Sequence, residues 1–463
     1  MIVVGAGLAG LFAGSLAAQR GAKTLVVARG IGAMPVGTGC IDVLGYDAKG
    51  ERITSPTTAL PKFIKANRKH PYALAGLNAL ENGLTALKSM CDSAGYPLVG
   101  DLSANHWLPT AVGSIRPTCF APESFIAGEV RRAEPMTLAA LPGFRDFYPH
   151  LAMSNLQSQI TNYPITAASL SLPDRPTHRE AYATDLARLF DDANYRAKVT
   201  KAWKGELNGA ARVGFPAILG LAHNPAARRD LAERLGAEVF EIPILPPSVP
   251  GMRLFNVLRE VLQEAGGKLI LGPEITGRVD GRALTPRVLG VTGHAAGKST
   301  IYEADRVILA TGGFLGGGLI SERAGVAAES IFDLPITYSS QPESWFAPRL
   351  FGAHPFARFG VRVDDLMRPL DAHGEVMYEN LHAVGGLVAG ADRLGEGSRE
   401  GIDVATAWRA IAPAPPSARP DDKTTIARKR RKAPPEESRL SPSPDSIAST
   451  DAETTDDTNS IHI

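Results

Sequence analysis

Ile2-Val3-Val4-Gly5-Ala6-Gly7-Leu8-Ala9-Gly10 opens the chain, followed by a helical run closing at Gly21 and a second apolar run from Thr24 to Val27. The order is strand, glycine turn, helix, strand, the βαβ unit that holds a nucleotide phosphate. Gly5 permits the tight turn, Gly7 lets the backbone approach the phosphate, and Gly10 lets helix and strand pack closely. The helix N-terminus adds free N–H groups and the positive end of its dipole. Leu8, Leu11, Phe12 and Leu16 give that helix one apolar face. Gly5, Ala6, Gly7, Leu8, Ala9 and Gly10 are therefore the candidate phosphate cradle.

A dinucleotide site carries a second component. An Asp or Glu at the end of the second strand, about twenty residues past the glycines, accepts hydrogen bonds from the adenosine ribose. That place holds Ala28, followed by Arg29 and Gly30. Arg29 suits a 2′-phosphate, the terminal phosphate of a mononucleotide or a solvated strand end. The departure favours a phosphate-ended mononucleotide over a full dinucleotide.

With 463 residues, the chain has room for two domains and a tail. An apolar content of 44% and a charged content of 21% describe an ordinary globular protein. The balance of 49 basic against 48 acidic residues gives no electrostatic reason for a nucleic-acid partner. Cys40, Cys91 and Cys119 lie far apart, fit no disulfide or metal spacing, and suit a reducing compartment. They are too few for an iron–sulfur cluster. Met1 to Ala18 carries no charge, yet it lacks a basic n-region and has glycines at motif spacing, so it reads as buried strand and helix.

From 47 to 249 the character changes to frequent prolines and mixed periods, with helical stretches at Asp185 to Leu189 and Ala226 to Leu235. This reads as an inserted α+β cap or substrate domain. The opening pattern then resumes. Leu254, Val257, Leu258, Val261, Leu262 and Ala265 recur at helical spacing before Gly266-Gly267 and a strand at Leu269 to Leu271. Val307 to Ala310 runs into Thr311-Gly312-Gly313, and Asn380 to Val384 runs into Gly385-Gly386, ahead of a helix near Val404 to Ala410. Apolar strands that each end in a glycine turn converge on one end of a parallel sheet, where ligands sit in open α/β folds. The expected architecture is α/β: a Rossmann-like domain in two segments, 1–46 and 250–412, with the cap between them. Residues 413–463, rich in Pro, Ser, Thr and Asp with a basic run at Arg428 to Lys432, are expected to be disordered. The basic run reads as a solvated charge cluster, with anionic lipid or an acidic partner as the alternative.

Several passages in order carry a resemblance. They are the N-terminal glycine unit, His70-Pro71-Tyr72, Leu245 to Leu254, Leu309 to Phe314, Gly318 to Arg323, Phe359-Gly360-Val361, Arg368-Pro369 and Asn380 to Gly385. Together they resemble the B subunit of bacterial anaerobic glycerol-3-phosphate dehydrogenase, a glutathione-reductase-like flavoprotein, over Met1 to about Ile411. The resemblance implies a flavin, FMN in the first instance and FAD as the alternative, and the absent acid at Ala28 agrees with FMN. It also implies a second flavin subunit and an iron–sulfur subunit that anchors the complex to the inner face of the cell membrane. The chain would then be cytoplasmic, and electrons would pass towards quinone. The chain departs from that family at Gly397-Ser398-Arg399-Glu400-Gly401, where larger charged side chains crowd the flavin, and in its long polar tail. No histidine stands between Gly37 and Leu44, so covalent attachment of the flavin is not expected.

Oxidising a secondary alcohol phosphate needs a hydride acceptor, a base and cations for the phosphate. His70, His354 and His382 are the available bases, each with a structural alternative. Arg253 and Arg323 suit a phosphate clamp or, for Arg253, an ion pair between domains; Arg145 and Arg368 are weaker versions. Thr38 and Gly39 of the second loop, Thr311 and Gly312, and Gly385 and Gly386 are the remaining cofactor candidates. No metal site is expected. Three functions compete: a flavin-bearing dehydrogenase subunit that oxidises glycerol 3-phosphate or relays electrons, a cofactor-poor structural subunit, and a stand-alone fumarate- or succinate-type oxidoreductase.

Overall fold

A computed structural model describes residues 1–173, 180–281 and 286–412, with the backbone of Ser460–His462. The chain begins with β1 (Ile2–Val4), α1 (Leu8–Gln19) and β2 (Leu25–Ala28), as the opening motif requires. Later come α2 (Leu77–Ser93), α3 (Val249–Glu264), β3 (Lys268–Leu271), β4 (Val307–Leu309), β5 (Leu381–Ala383) and α4 (Arg399–Ile411). The five strands form one parallel sheet in the order β3-β2-β1-β4-β5. Ile2 stands opposite Leu25 on one side and Val307 on the other. Strands covered on both faces need continuous apolar sequence, and β1, β4 and β5 are buried throughout.

Sequence periodicity assigned α1 one apolar face, whereas the structure buries it all round, from Leu8 to Ala18. The alanines and Gly14 on its other side are narrow enough to admit α3 and α4, which both pack on it. Buried Ser15 caps the contact by donating to the Leu258 carbonyl at 3.1 Å. Helix α3 starts where Ser248 Oγ accepts the Gly251 N–H at 3.1 Å, with Pro250 in its first turn. It stops at Ala265-Gly266, as expected.

A second hydrophobic core lies in the inserted stretch. Its main sheet, Glu238–Ile242, Arg212–Pro216, Met136–Ala140 and Ile165–Ser169 in that order, is parallel at every pairing. Trp203 stacks on Phe215 at 5.3 Å at its centre. Leu60, Tyr72, Leu80, Leu84 and Leu87 instead pack into the first core. The second core draws on residues between Trp107 and Val249, while Cys119 and Phe120 from the same stretch pack into the first. A third sheet, Glu274–Asp280, Arg287–Ala295 and Lys298–Glu303, is an antiparallel meander. Ser460–His462, expected to be disordered, instead pairs in parallel with its last strand, Ile301 opposite Ser460. The rest of the expected tail lies outside the described residues. Among the described residues, no helix is long and apolar enough to cross a membrane.

Candidate functional site

The turn after β1 is held by tertiary contact. Gly5 has φ +115°, and its N–H donates to the Val27 carbonyl at 2.9 Å. A Cβ on Gly5 would overlap the Ala310 carbonyl at the end of β4, and one on Gly10 would overlap the Gly5 carbonyl. Gly7 differs: among the described residues, nothing lies within 4 Å of where its Cβ would stand. It is the N-cap of α1 in extended conformation, with no side chain capping the helix and no acid in the first turn. Leu8 and Ala9 are buried. A buried helix start whose N–H groups lack a side-chain acceptor, below open space, has the electrostatics of an anion site.

Neighbouring turns frame it. Gly32, in the loop after β2, folds back until a Cβ there would meet Gly7 Cα at 2.8 Å. Ala28 closes β2 buried, whereas Arg29 is exposed, and no ion pair engages it among the described residues. Thr311 follows β4, and its Oγ1 is buried with no hydrogen-bond partner among the described residues. Gly312 has φ +77°.

The second loop and the start of α4 face each other. Thr38 Oγ1 accepts the Cys40 N–H at 3.3 Å, and Gly39 packs on Pro250. A Cβ on Gly37 would stand 2.6 Å from an Arg399 guanidinium nitrogen. Arg399 is paired with Glu400 at 2.5 Å, and Glu400 accepts the Asp42 N–H at 3.4 Å. Asp42 in turn holds Arg116. Burial pushes the Asp42 carboxyl up, against the pull of Arg116. The large charged residues at Arg399 and Glu400 are thus mutually paired and tied to the second loop.

Gly385 and Gly386 follow β5. The Gly385 N–H donates to Thr406 Oγ1 at 2.9 Å, so that amide is committed within the protein. Gly386 lies against the Arg393 guanidinium, which donates to the Arg399 carbonyl at 2.7 Å and pairs with Asp403. Asp403 Oδ1 stands 2.7 Å from the position of a Gly385 Cβ. It supplies from α4 a carboxylate beside this turn, which sequence reading missed. Burial raises the Asp403 carboxyl to about 6, with Arg393 opposing the rise.

The candidate bases are all committed. His70 is 1% exposed; its Nδ1 accepts the Tyr72 N–H at 3.1 Å and its Nε2 meets Glu396 at 3.0 Å. His382 accepts Arg306 Nε–H at 2.8 Å and meets the Leu366 carbonyl at 3.0 Å. Burial, then Arg306, lowers it to about 3. His354 accepts the Ala347 N–H at 2.9 Å and meets the Leu350 carbonyl at 2.8 Å.

The arginines divide. Arg253 is 2% exposed, forks onto Glu241 at 2.7 and 3.0 Å and donates to the Gly220 carbonyl, which makes it an ion pair between α3 and the inserted sheet. Arg368 pairs with Asp364 at 2.7 Å, and Arg145 with Glu180 at 2.9 Å on the surface. Arg323 is exposed, in the turn after Leu319–Ser321.

A flavin fits these residues. The open amide end at Gly7 suits its phosphate, and the orphaned Thr311 hydroxyl and the Arg393 and Arg399 guanidiniums suit a group rich in carbonyls and hydroxyls.

A family profile described as FAD binding domain matches residues 1–399. The B subunit of the probable anaerobic glycerol-3-phosphate dehydrogenase of Halobacterium salinarum is 33% identical over 423 residues, covering 89% of this chain and 96% of its own. The B subunit of the anaerobic glycerol-3-phosphate dehydrogenase of Pectobacterium atrosepticum is 28% identical over 88% of this chain and 96% of its own. Among solved structures, 3-ketosteroid delta1-dehydrogenase from Sterolibacterium denitrificans is 13% identical, covering 89% of this chain and 98% of its own, with a TM-score of 0.44. The relatives' names make each of them one part of a larger dehydrogenase. On the family match and the length of these alignments, the chain belongs to the family of anaerobic glycerol-3-phosphate dehydrogenase B subunits, flavin-dependent oxidoreductases with an FAD-binding fold.

Proposed function

We propose that the chain is the flavin-bearing subunit of an anaerobic glycerol-3-phosphate dehydrogenase, oxidising glycerol 3-phosphate to dihydroxyacetone phosphate and passing electrons towards quinone. The observation that carries this reading is the buried, uncapped and open start of α1 at Gly7, in a chain whose relatives bear that name. When bound, the flavin supplies the hydride acceptor. The protein's own part is to grip the phosphate with the amides of Leu8, Ala9 and Gly10 and to line the other end with Thr311, Arg393 and Arg399. Arg29 stands at the end of β2, where the terminal phosphate of a mononucleotide would gain a cation.

FMN is the proposed flavin because Ala28 offers no acceptor for an adenosine ribose. The match to a family described by FAD supports FAD as the second reading. A companion flavin subunit and an iron–sulfur subunit complete the proposed complex and hold this chain at the inner face of the membrane.

Purifying the chain, recording its visible spectrum and identifying released flavin by chromatography tests the reading. Bound FMN is expected. Bound FAD would overturn the argument from Ala28, and a colourless folded protein would favour a structural role in which Arg393 and Arg399 fill the place of the cofactor.

A further inference from the structure

Where the second loop meets the inserted unit there is a cleft of about 200 Å³. It is lined by Thr38 and Cys40 of the second loop, by Leu108 to Val112 and their hairpin partners Arg116 and Thr118, and by Pro243 to Leu245. Among the described residues lining it, Arg116 is the one cation, with a side chain 37% exposed, and it is held from behind by Asp42, which is 2% exposed. Asp42 is anchored at both backbone ends to the start of α4: its N–H donates to Glu400 and its carbonyl accepts the Gly401 N–H at 2.9 Å. The guanidinium is thereby fixed to the same framework that carries Gly37 and Arg399. Much of the remaining lining is carbon: Leu108, beside Arg116 in the hairpin, is buried, and Val112 and Leu245 stand half exposed. The arginines that sequence alone nominated for an anion lie elsewhere, Arg253 locked on Glu241 and Arg323 on an outer turn.

We propose that this cleft is the substrate site and takes a small phosphate monoester of a short polyol, with Arg116 on the phosphate and the Leu108, Val112 and Leu245 wall along the carbons. The proposal rests on the dehydrogenase reading above and gives it a location. A single fixed guanidinium binds a phosphate through charge-assisted hydrogen bonds, and the Thr38 O–H, whose oxygen accepts the Cys40 N–H, is a further donor in the lining. The volume of about 200 Å³ admits a three-carbon ester. Asp42 is a positioning residue: it orients Arg116 and does not touch the ligand.

Titration calorimetry of glycerol 3-phosphate into the flavin-loaded full chain tests this, with flavin content and thermal midpoint recorded for each variant. Arg116→Gln is expected to weaken binding by at least tenfold, and Leu245→Trp, which fills the cleft from its exposed rim, by a similar factor. Inorganic phosphate should compete and glycerol should not. Because Arg116→Gln leaves Asp42 buried and unpaired, the double variant Asp42→Asn with Arg116→Gln provides a neutral pair should the single variant fail to fold. Wild-type affinity in these variants, with glycerol 3-phosphate still bound by the wild type, would overturn the site and leave the functional reading standing. No binding to the flavin-loaded wild type would count against that reading itself, and the cleft with it.

Discussion

Gly10 and Gly7 belong to one loop, yet their surroundings set opposite expectations. A Cβ on Gly10 would overlap the Gly5 carbonyl, so Gly10→Ala must push α1 off the sheet. Overpacking of this kind costs about 1–3 kcal/mol, and chemical denaturation should show it in the flavin-free protein as well. His70 is a further residue-scale case. With Nδ1 accepting from Tyr72 and Nε2 on Glu396, it ties the start of the Tyr72 helix to the loop ahead of α4. His70→Ala should destabilise by about 2–4 kcal/mol in chemical denaturation, from lost buried hydrogen bonds and a cavity. Glycine roles were legible in the opening sequence because each is set by contacts within one βαβ unit. The histidine roles were not, since the partners of His70 and His382 arrive from distant parts of the chain.

At the scale of elements, the pair Arg253–Glu241 joins α3 to the inserted sheet with both side chains buried. Arg253→Met leaves the Glu241 carboxylate without its partner and should cost about 3–5 kcal/mol. Adding Glu241→Gln, which removes the unpaired charge and keeps an oxygen for the Leu219 N–H that Glu241 also accepts, should recover part of that loss, which a double-mutant cycle in denaturant would show; additive losses would mean the two side chains do not act as a pair. Sequence reading left Arg253 open between a phosphate clamp and an interdomain pair, because nothing local to Arg253 points to Glu241. Asp403 shows the same limit: it reaches Gly385 only through the docking of α4 against the turn at Gly385–Leu387. The strands of the central sheet were legible, since burial on both faces demands apolar runs. The parallel order of the inserted sheet was not, because its pairings link strands far apart in sequence.

For the whole molecule, titration gives two further expectations. Burial alone would raise the Glu129 carboxyl, but His106, Arg131 and the Trp107 N–H outweigh it and hold it at about 2, below the usual 4.5. A carboxylate lowered in the folded state adds stability above its unfolded value, and that stability is lost as pH falls from 4.5 towards 2. Glu129→Gln should flatten that part of the stability–pH curve and cost about 1 kcal/mol at neutral pH, after discounting for solvent screening. Cys40, Cys91 and Cys119 are buried and free, and burial raises each thiol, to about 12 for Cys40 and Cys91. A thiol-reactive dye at pH 8 should therefore leave the native protein untouched and label all three after unfolding.

The anion grip at the start of α1 is tested most directly by Gly7→Asp. The position is an extended N-cap with open space around its Cβ, so aspartate caps the helix without strain and fills the N–H groups with a carboxylate of its own. Flavin content per folded chain, read from the visible spectrum beside a thermal midpoint compared with the flavin-free wild type, is the measurement. A colourless variant at least as stable as that reference is the expected result; a fully yellow one would contradict the account.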